Sequence, residues 1–489
     1  MLAIVSMFIC MPQNVLSQSK SSQPNIIIFL VDDMGWQETS VPFHNERTEL
    51  NDRFKTPNME RLADKGMIFT QAYASAICSP SRVSLITGTN PARHNVTCWT
   101  LFKDKSPERE HKTLKNADWN LNGLSSDNEL GRSFYWESCL PEVLKKAGYY
   151  TMHIGKAHFG AKDTPGADPL NIGFDLNIAG HAAGGPGSYH GDKNFSAVWR
   201  KGMDVWDVPH LEKYHGQEIN LTDVLTHEAN RAIEKAVEMG QPFFLHMSHY
   251  GIHAPWEADR RFVQKYLDAG LPELLANHAS MVEGMDHSLG AIMDKLEDLG
   301  IEDETIIVFI SDNGAPSQMT RNLPLRGHKV TPYEGGIRVP MIVKWPGVTK
   351  KAMRNNHPIA IQDVYASIVE WAKAEDYVVP IDDTQSFLPL IKDKKHTWRD
   401  RALIWHYPNF YDVEPYSIIR KGNWKLIHFY HDGHNELYDL TADIGEQNNK
   451  ADEEPQIVIE LANELRNYLQ EVEACRPYWK ETGELVPWL

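Results

Sequence analysis

Residues 25–33 read NIIIFLVDD, an uninterrupted apolar run that ends in two adjacent aspartates. Because polar and apolar residues do not alternate, the run predicts a strand that is buried on both faces. Two carboxylates directly after a buried strand are costly unless a cation or a metal ion neutralises them. Asp32 and Asp33 are therefore candidate metal ligands, with loop or helix-capping roles as the ordinary alternative.

The same arrangement recurs along the chain. Three later apolar runs are predicted strands that precede chemically capable residues: residues 149–154 before Lys156 and His158, residues 243–247 before His253, and residues 305–310 before Asp312 and Asn313. Helical spacing occupies residues 225–239 and 272–299 between them. Alternating strands and helices indicate an α/β fold, in which ligands bind beyond the carboxyl ends of the strands. We therefore expect one shared site.

A cysteine opens the segment CSPSRVSLITG at residues 78–88. Pro80 suits the first turn of a helix and Gly88 suits its end, so Cys78 is predicted at a helix N-terminus, where partial positive charge gathers. Arg82 lies one turn later and points back toward the same end. A lone cysteine here would more often be a buried structural residue.

The motif Cys-x-Pro-Ser-Arg, followed after four residues by Thr-Gly, resembles the signature of the type I sulfatases, and every fixed position is filled between Cys78 and Gly88. The resemblance implies that a formylglycine-generating enzyme or an anaerobic sulfatase-maturing enzyme oxidises Cys78 to 3-oxoalanine (formylglycine). The hydrate of that aldehyde would be the nucleophile. The resemblance also implies an alkaline-phosphatase-like fold, a mixed, mostly parallel sheet between helices.

Asp32, Asp33, Asp312 and Asn313 offer a set of oxygen ligands without thiolate or imidazole. Such a set favours Ca²⁺ or Mg²⁺ over Zn²⁺. An oxygen of modified Cys78 would complete the shell. In the type I sulfatases the matching positions bind Ca²⁺, so the resemblance implies one Ca²⁺ per chain.

The resemblance extends to four basic residues. Lys156 and His158 match a Gly-Lys-x-His element, His253 matches the histidine before x-Pro, and Lys329 matches a second lysine before residues 333–336. Ala157 departs from the tryptophan that many relatives carry there.

These matches imply a catalytic cycle. Arg82 and the metal would polarise the attacking hydroxyl, and Lys156 and Lys329 would clamp the sulfate. His253, or Lys329 beside it, would protonate the departing sugar oxygen. His158 would take a proton from the second hydroxyl, which expels sulfate and restores the aldehyde.

The sequence changes character after about residue 393. Short predicted strands at residues 417–419, 424–430 and 436–440 precede an amphipathic helix from Pro455. We predict a catalytic sulfatase domain over residues 24–393 and a C-terminal α+β subdomain over residues 394–489, with a small antiparallel sheet and one helix.

Aromatic residues suggest where a sugar would bind. Trp99 and His406 are predicted substrate contacts, the latter within an aromatic stretch, residues 405–409, at the expected pocket wall. Sequences of this kind resemble bacterial carbohydrate sulfatases of polysaccharide-degrading systems. That resemblance implies a sulfated carbohydrate substrate, such as ulvan, carrageenan, another galactan or a glycosaminoglycan.

Composition and charge limit the partners, the location and the disulfide content that the chain can have. A net charge of −17 argues against nucleic acid as a partner. The apolar run at residues 2–11 predicts a signal peptide over residues 1–17, hence an exported, periplasmic or secreted protein. No later stretch is long and apolar enough for an integral membrane helix. Five cysteines include Cys10 in the leader and Cys78, so the three that remain argue against a disulfide framework.

Two other functions stay open at this stage. A phosphatase or phosphodiesterase of the alkaline phosphatase superfamily would call for a Ser or Thr nucleophile and imidazole-rich Zn²⁺ sites. A non-catalytic protein that binds sulfated glycans would keep the fold and leave Cys78 unmodified.

Overall fold

The structure is a computed structural model that describes residues 23–197, 203–319, 322–351, 353–392 and 397–489. The predicted signal peptide and the predicted boundary between residues 393 and 394 lie outside these residues. The strands are β1 (Asn25–Val31), β2 (Met67–Tyr73), β3 (Leu114–Lys115), β4 (Leu124–Ser125), β5 (Phe134–Tyr135), β6 (Tyr150–Gly155), β7 (Leu176–Ile178), β8 (Phe243–Ser248), β9 (Thr305–Ser311), β10 (Arg338–Lys344), β11 (Met353–Asn355), β12 (Ile359–Ala360), β13 (Leu403–Tyr407), β14 (Tyr416–Lys421), β15 (Trp424–Phe429), β16 (Asn435–Asp439) and β17 (Tyr478–Trp479). The α-helices are α1 (Glu49–Arg53), α2 (Pro57–Asp64), α3 (Cys78–Thr87), α4 (Pro91–His94), α5 (Leu140–Lys146), α6 (Leu221–Met239), α7 (Val263–Asp268), α8 (Glu273–Asp298), α9 (Glu334–Ile337), α10 (Asp363–Ala372), α11 (Leu388–Ile391) and α12 (Pro455–Glu471).

The large sheet has nine strands within the described residues, in the order β11-β2-β10-β9-β1-β8-β6-β7, with β12 beside β2. Strand β10 runs antiparallel to β2 and β9, and the other pairs are parallel. Ile28 of the central strand β1 lies opposite His246 on one side and Val308 on the other. The predicted mixed, mostly parallel sheet is confirmed.

The central strand is apolar throughout because both faces of the sheet are covered. Ile27, Phe29 and Val31 belong to one core cluster, which includes side chains of α2, α6 and α8. The intervening Ile26, Ile28 and Leu30 belong to the opposite cluster, with side chains of α3, α5 and α10. Each such side chain contributes about 1.5–3 kcal/mol through burial, so the strand positions whatever follows it firmly.

The small sheet is antiparallel in the order β13-β14-β15-β16. Helix α12 covers it through Leu461, Leu465 and Leu469, which pack on Ile419 and Leu426. The predicted strand-and-helix unit is therefore present. The predicted strands omitted β13, which includes residues expected to line the pocket.

The sequence at residues 321–340 is polar and rich in glycine, which predicts no core element there, and that prediction is wrong at the end of the stretch. Residues Arg338–Lys344 form β10, between β2 and β9. Buried Glu334 accepts hydrogen bonds from Tyr73 Oη at 2.8 Å and from Lys425 Nζ at 3.1 Å, and Arg338 Nη2 donates to the carbonyl of Thr70 at 2.8 Å. Charged residues are tolerated here because each finds a buried partner.

Among the described residues, no helix combines the length and apolar character that crossing a membrane requires.

Candidate active site

The chemically capable residues meet at one edge of the large sheet. Strands β9, β1, β8 and β6 are neighbours, so their carboxyl ends lie side by side. Lys156 follows β6, and its Nζ lies 2.6 Å from Asp32 Oδ2 after β1. Asp312 follows β9, and its Oδ1 accepts a hydrogen bond from the backbone N–H of Asp33 at 3.2 Å. Residues that are far apart in sequence are thereby gathered in one place.

Cys78 is the first residue of α3, and the helix ends at Gly88, whose φ of +73° is readily adopted by glycine. Its side chain is buried, and the Sγ atom lies 3.9 Å from Asp32 Oδ1. Burial raises the pKa of the Cys78 thiol to about 11. At neutral pH the unmodified thiol is therefore protonated, which is the form that reacts poorly as a nucleophile.

The Arg82 side chain is fully buried within this site. Its Nε donates to Asp312 Oδ2 at 2.8 Å, and Nη1 donates to the Lys156 carbonyl at 2.9 Å and to Ser248 Oγ at 2.8 Å. Nη2 lies 3.8 Å from Asp32 Oδ1. The guanidinium thus connects the ends of β1, β6, β8 and β9.

Asp33 faces a second set of groups. Lys329 Nζ lies 2.5 Å from Asp33 Oδ1, Asn313 Nδ2 donates to the same oxygen at 2.8 Å, and His253 Nε2 lies 3.9 Å from Oδ2. Burial raises the pKa of Asp33, but Lys329, His253 and Lys156 together more than offset this and hold the pKa well below its usual range. Burial and the Asp312 carboxylate instead raise the pKa of Asp32. A cation between Asp32 and Asp312 would relieve that repulsion.

The described residues could hold a metal ion in this place. Ligand atoms of Asp32, Cys78 and Asp312 lie within 4.8 Å of one another, as do those of Asp33, Cys78 and His253. Asn313 Oδ1 is buried without a hydrogen-bond partner in the described part of the chain, although its amide nitrogen donates to Asp33. Because buried acceptors are normally satisfied, the free oxygen fits a cation beside these carboxylates.

Both predicted histidines present an unprotonated nitrogen. His158 Nε2 lies 2.8 Å from the Thr100 carbonyl, and His253 Nδ1 lies 2.8 Å from the Ala254 carbonyl. Since carbonyls only accept, these nitrogens carry the hydrogen and leave His158 Nδ1 and His253 Nε2 with lone pairs. Burial and the positive charge of Lys156 hold the pKa of His158 well below its usual range. Burial and the positive charge of Lys329 lower the pKa of His253 to about 3.

A pocket of about 630 Å³ opens over Cys78 and is lined by Asp33, His158, His253 and Lys329. Its walls include Trp99, which was predicted, and also Trp206, Trp256 and Tyr411, which were missed.

Trp256 follows His253 by only three residues, a signal that was available in the sequence. Tyr411 gave no such signal, because its place depends on how the small sheet packs. Its ring meets that of Trp99 edge to face at 5.6 Å.

His406 is not brought to the pocket, which corrects the prediction that it contacts substrate. Its side chain is buried on β13, with Nδ1 2.7 Å from Ser417 Oγ and Nε2 2.7 Å from the Cys475 carbonyl. Neighbouring Trp405 is also buried and donates from Nε1 to the Ala74 carbonyl at 2.8 Å. The wall is built a few residues later, by Tyr411 and Asp412.

Two adjacent glycines, Gly184 and Gly185, lie directly against the imidazole rings of His158 and His253. A Cβ atom on Gly184 would lie 2.4 Å from Cε1 and 2.8 Å from Nδ1 of His158, and one on Gly185 would lie 2.7 Å from Nδ1 of His253. The sequence showed only a glycine-rich loop here. The structure indicates that the loop leaves space for both imidazole rings.

The whole chain can be compared with known proteins. Residues 24–374 match the model of the Sulfatase family, which is nearly three quarters of the chain. The chain belongs to the sulfatase family. This sulfatase also matches, over residues 328–474, the model described as N-sulphoglucosamine sulphohydrolase, C-terminal. It is therefore a sulfuric ester hydrolase.

Individual relatives span almost the full sulfatase. It is 28% identical to a protein named sulfatase from Formosa agariphila, over 96% of this chain and 94% of the relative. It is 27% identical to an N-acetylgalactosamine-6-O-sulfatase of Bacteroides thetaiotaomicron, over 91% of this chain and 93% of the relative. The crystal structure of Ps i-CgsB in complex with k-i-k-neocarrahexaose is similar with a TM-score of 0.73 and 25% identity, over 92% of this chain and 93% of that chain.

Gly184→Ala is expected to lower the kcat of this sulfatase by about 10- to 100-fold, because the added methyl group displaces the His158 ring by a fraction of an ångström or more. The measurement is sulfate release from an aryl sulfate, together with the thermal midpoint. Gly131→Ala is the matched control, since a Cβ atom there meets nothing within 4 Å. Full activity of Gly184→Ala would mean that the loop does not position His158.

Proposed function

We propose that the protein hydrolyses sulfate esters on a carbohydrate, using formylglycine made from Cys78 and one bound Ca²⁺. The observation that carries this proposal is the burial of Cys78 at a helix N-terminus against Asp32, with Lys156 and Lys329 acting electrostatically on its side chain. A protonated thiol is a poor nucleophile, whereas the hydrate of an aldehyde offers two hydroxyl groups.

The metal proposal rests on the chemistry of the donors. Asp32, Asp33, Asp312 and the free oxygen of Asn313 would hold Ca²⁺ together with an oxygen of modified Cys78. A bound Ca²⁺ supplies positive charge beside the attacking oxygen and the sulfuryl oxygens. Arg82 already ties Asp312 to Lys156 and Ser248, so the protein orients these groups before any substrate arrives.

The proposed reaction proceeds in two steps, a displacement at sulfur followed by an elimination that releases sulfate. One hydroxyl of the hydrate loses its proton to solvent and its oxygen attacks sulfur in line. The bond between sulfur and the sugar oxygen breaks, while Lys156 and Lys329 compensate the charge of the sulfuryl oxygens. Lys329 gives a proton to the departing sugar oxygen, or His253 does so after its Nε2 has taken up a proton in the complex with the anionic ester. His158 Nδ1 then takes the proton of the second hydroxyl, the carbon–oxygen bond to sulfate breaks, and the aldehyde is restored.

The substrate class is inferred from the pocket and from the relatives. Trp99, Trp206, Trp256 and Tyr411 give the pocket aromatic walls, which suit the apolar faces of sugars. One relative is named an N-acetylgalactosamine-6-O-sulfatase and a structural neighbour holds a neocarrahexaose. The proposed substrates are therefore a sulfated polysaccharide or its oligosaccharides, among them ulvan, carrageenan, other galactans and glycosaminoglycans.

Three further parts of the proposal concern the setting of the enzyme. The protein would be exported to the periplasm or secreted, as the apolar leader suggests. A formylglycine-generating enzyme or an anaerobic sulfatase-maturing enzyme would act on Cys78. Residues 24–393 would form the catalytic domain and residues 394–489 a subdomain that contributes Tyr411 to the pocket wall.

Peptide mass spectrometry of protein from its native host tests the nucleophile. The peptide that contains Cys78 is expected about 18 Da below its thiol mass, because conversion of the thiol to an aldehyde replaces sulfur by oxygen and removes two hydrogens. Cys78→Ala is expected to lose activity by about 10³-fold or more. Active native protein with only an unmodified thiol would contradict the proposal.

Metal exchange tests the cofactor. Dialysis against a chelator is expected to abolish sulfate release, and Ca²⁺ rather than Zn²⁺ is expected to restore it, because oxygen donors prefer hard cations. Asp312→Asn should raise the Ca²⁺ concentration needed by about 10-fold or more, since it removes a charged ligand. Asp294→Asn, in an ion pair with Arg61 on an exposed face, is the control. Equal recovery with Zn²⁺ would argue against the calcium site.

Defined sulfated oligosaccharides test the substrate. Their kcat/KM is expected to exceed that of a small aryl sulfate, and Tyr411→Ala is expected to raise their KM by about 3- to 10-fold through lost ring stacking, while leaving the aryl sulfate reaction nearly unchanged. Tyr377→Ala, an exposed tyrosine outside the residues that line this pocket, serves as the matched control. Turnover of aryl sulfates alone would refute a carbohydrate substrate.

A further inference from the structure

A histidine-rich hairpin lies in the small sheet, apart from the pocket. Residues 430–434 join β15 to β16, and three of them are His431, Asp432 and His434. The turn is tight, because the backbone N–H of Gly433 donates to the Phe429 carbonyl at 2.9 Å and the N–H of Phe429 donates to the His434 carbonyl at 3.1 Å. Gly433 has a φ of +76°, which lets the chain return within this span.

The inner nitrogens of both rings face one carboxylate. Asp432 Oδ2 lies 3.2 Å from His431 Nε2, and Asp432 Oδ1 lies 2.6 Å from His434 Nδ1. The two ring planes stand at 84° with centroids 5.8 Å apart. One ligand atom from each of the three side chains lies within 4.8 Å of the others. A single ion can therefore be reached by all three residues after small side-chain adjustments.

The outer nitrogens of the same rings face two other carboxylates. His431 Nδ1 lies 3.8 Å from Glu414 Oε2, and His434 Nε2 lies 3.8 Å from Glu436 Oε1. His431 Nδ1 is buried and makes no hydrogen bond with the described residues. A histidine that binds a metal through one nitrogen usually directs the other to a carboxylate or carbonyl, which fixes the ring and raises its basicity. Each ring has a carboxylate on its outer side at 3.8 Å, which a small movement of the side chain would bring to hydrogen-bond distance.

We propose that the hairpin binds one divalent transition-metal ion of the Zn²⁺ type through His431 Nε2, the Asp432 carboxylate and His434 Nδ1. Two imidazoles and one carboxylate suit Zn²⁺, Cu²⁺ or Ni²⁺ and suit Ca²⁺ poorly, which sets this site apart from the oxygen donors around Cys78. His431 and Asp432 are 28% and 48% exposed in their side chains, so the ion has a path from solvent and room for bound water.

The site would also connect the hairpin to the pocket wall. Glu414 also accepts a hydrogen bond from His111 Nε2 at 2.9 Å. It follows Tyr411, a residue of the pocket wall, by three positions in the sequence. Because the ion would orient His431 toward Glu414, its binding is expected to stabilise this wall. Zn²⁺ should accordingly raise the thermal midpoint of the full-length protein.

Zinc binding to the full chain tests the proposal independently of the sulfatase mechanism. Protein freed of metal is dialysed against a Zn²⁺ series in excess Ca²⁺, and bound zinc is measured by elemental analysis. Asp432→Asn and His434→Gln are expected to weaken the binding of one Zn²⁺ by about 10- to 100-fold, and Glu414→Gln or Glu436→Gln by about 10-fold. His227→Gln, an exposed histidine of α6 outside the cluster, should bind zinc like the unaltered chain.

Thiols are the competing ligands, since Cys98, Cys139 and Cys475 are free, as is Cys78 in protein that has not been modified. Cobalt substitution separates the two sources, because Co²⁺ bound to thiolate gives a ligand-to-metal charge-transfer band that imidazole and carboxylate do not give. We expect visible Co²⁺ absorption that lacks this band and disappears in His434→Gln. Zinc affinity within twofold of the unaltered chain in both Asp432→Asn and His434→Gln, or loss of zinc only in cysteine variants, would overturn it. The glutamate variants keep the test decisive if a ligand variant does not fold.

Discussion

Three buried carboxylates at the end of a parallel sheet are the constraint on which the site depends. Asp32, Asp33 and Asp312 are almost completely excluded from solvent, and such groups are unstable without compensating charge. The fold supplies that charge from three separate elements, because Arg82 comes from α3, Lys156 follows β6 and Lys329 lies in the loop before α9. This edge of the sheet is therefore held together by ion pairs that also join the strands.

The parts of the fold that could be predicted from sequence are those whose signal is local. The run at β1 is apolar because both faces are packed, and the groups beyond β1, β6 and β9 stand out because charge follows buried strands directly. Adjacency in the sheet then brings those groups together. Asn313 was predicted as a ligand in the same way, from its place after β9.

The features that were missed depend on contacts between distant segments. Strand β10 looked too polar because Arg338 and Glu334 are charged, and only the packing of Tyr73 and Lys425 around Glu334 explains their burial. His406 looked like a pocket residue because it lies in an aromatic stretch, but strand pairing turns it toward Ser417. The side chain that reaches the pocket, Tyr411, lies just beyond that strand.

The charge balance at this edge explains why an acidic protein can bind an anionic ester. The protein as a whole carries a net charge of −17. When ionised, the three carboxylates and the three cations Arg82, Lys156 and Lys329 sum to zero, so the residues alone offer no excess of positive charge. A divalent cation in the proposed place makes the sum +2, and the low dielectric of a buried site preserves the attraction. Metal binding would thus be a condition for substrate binding as well as for chemistry.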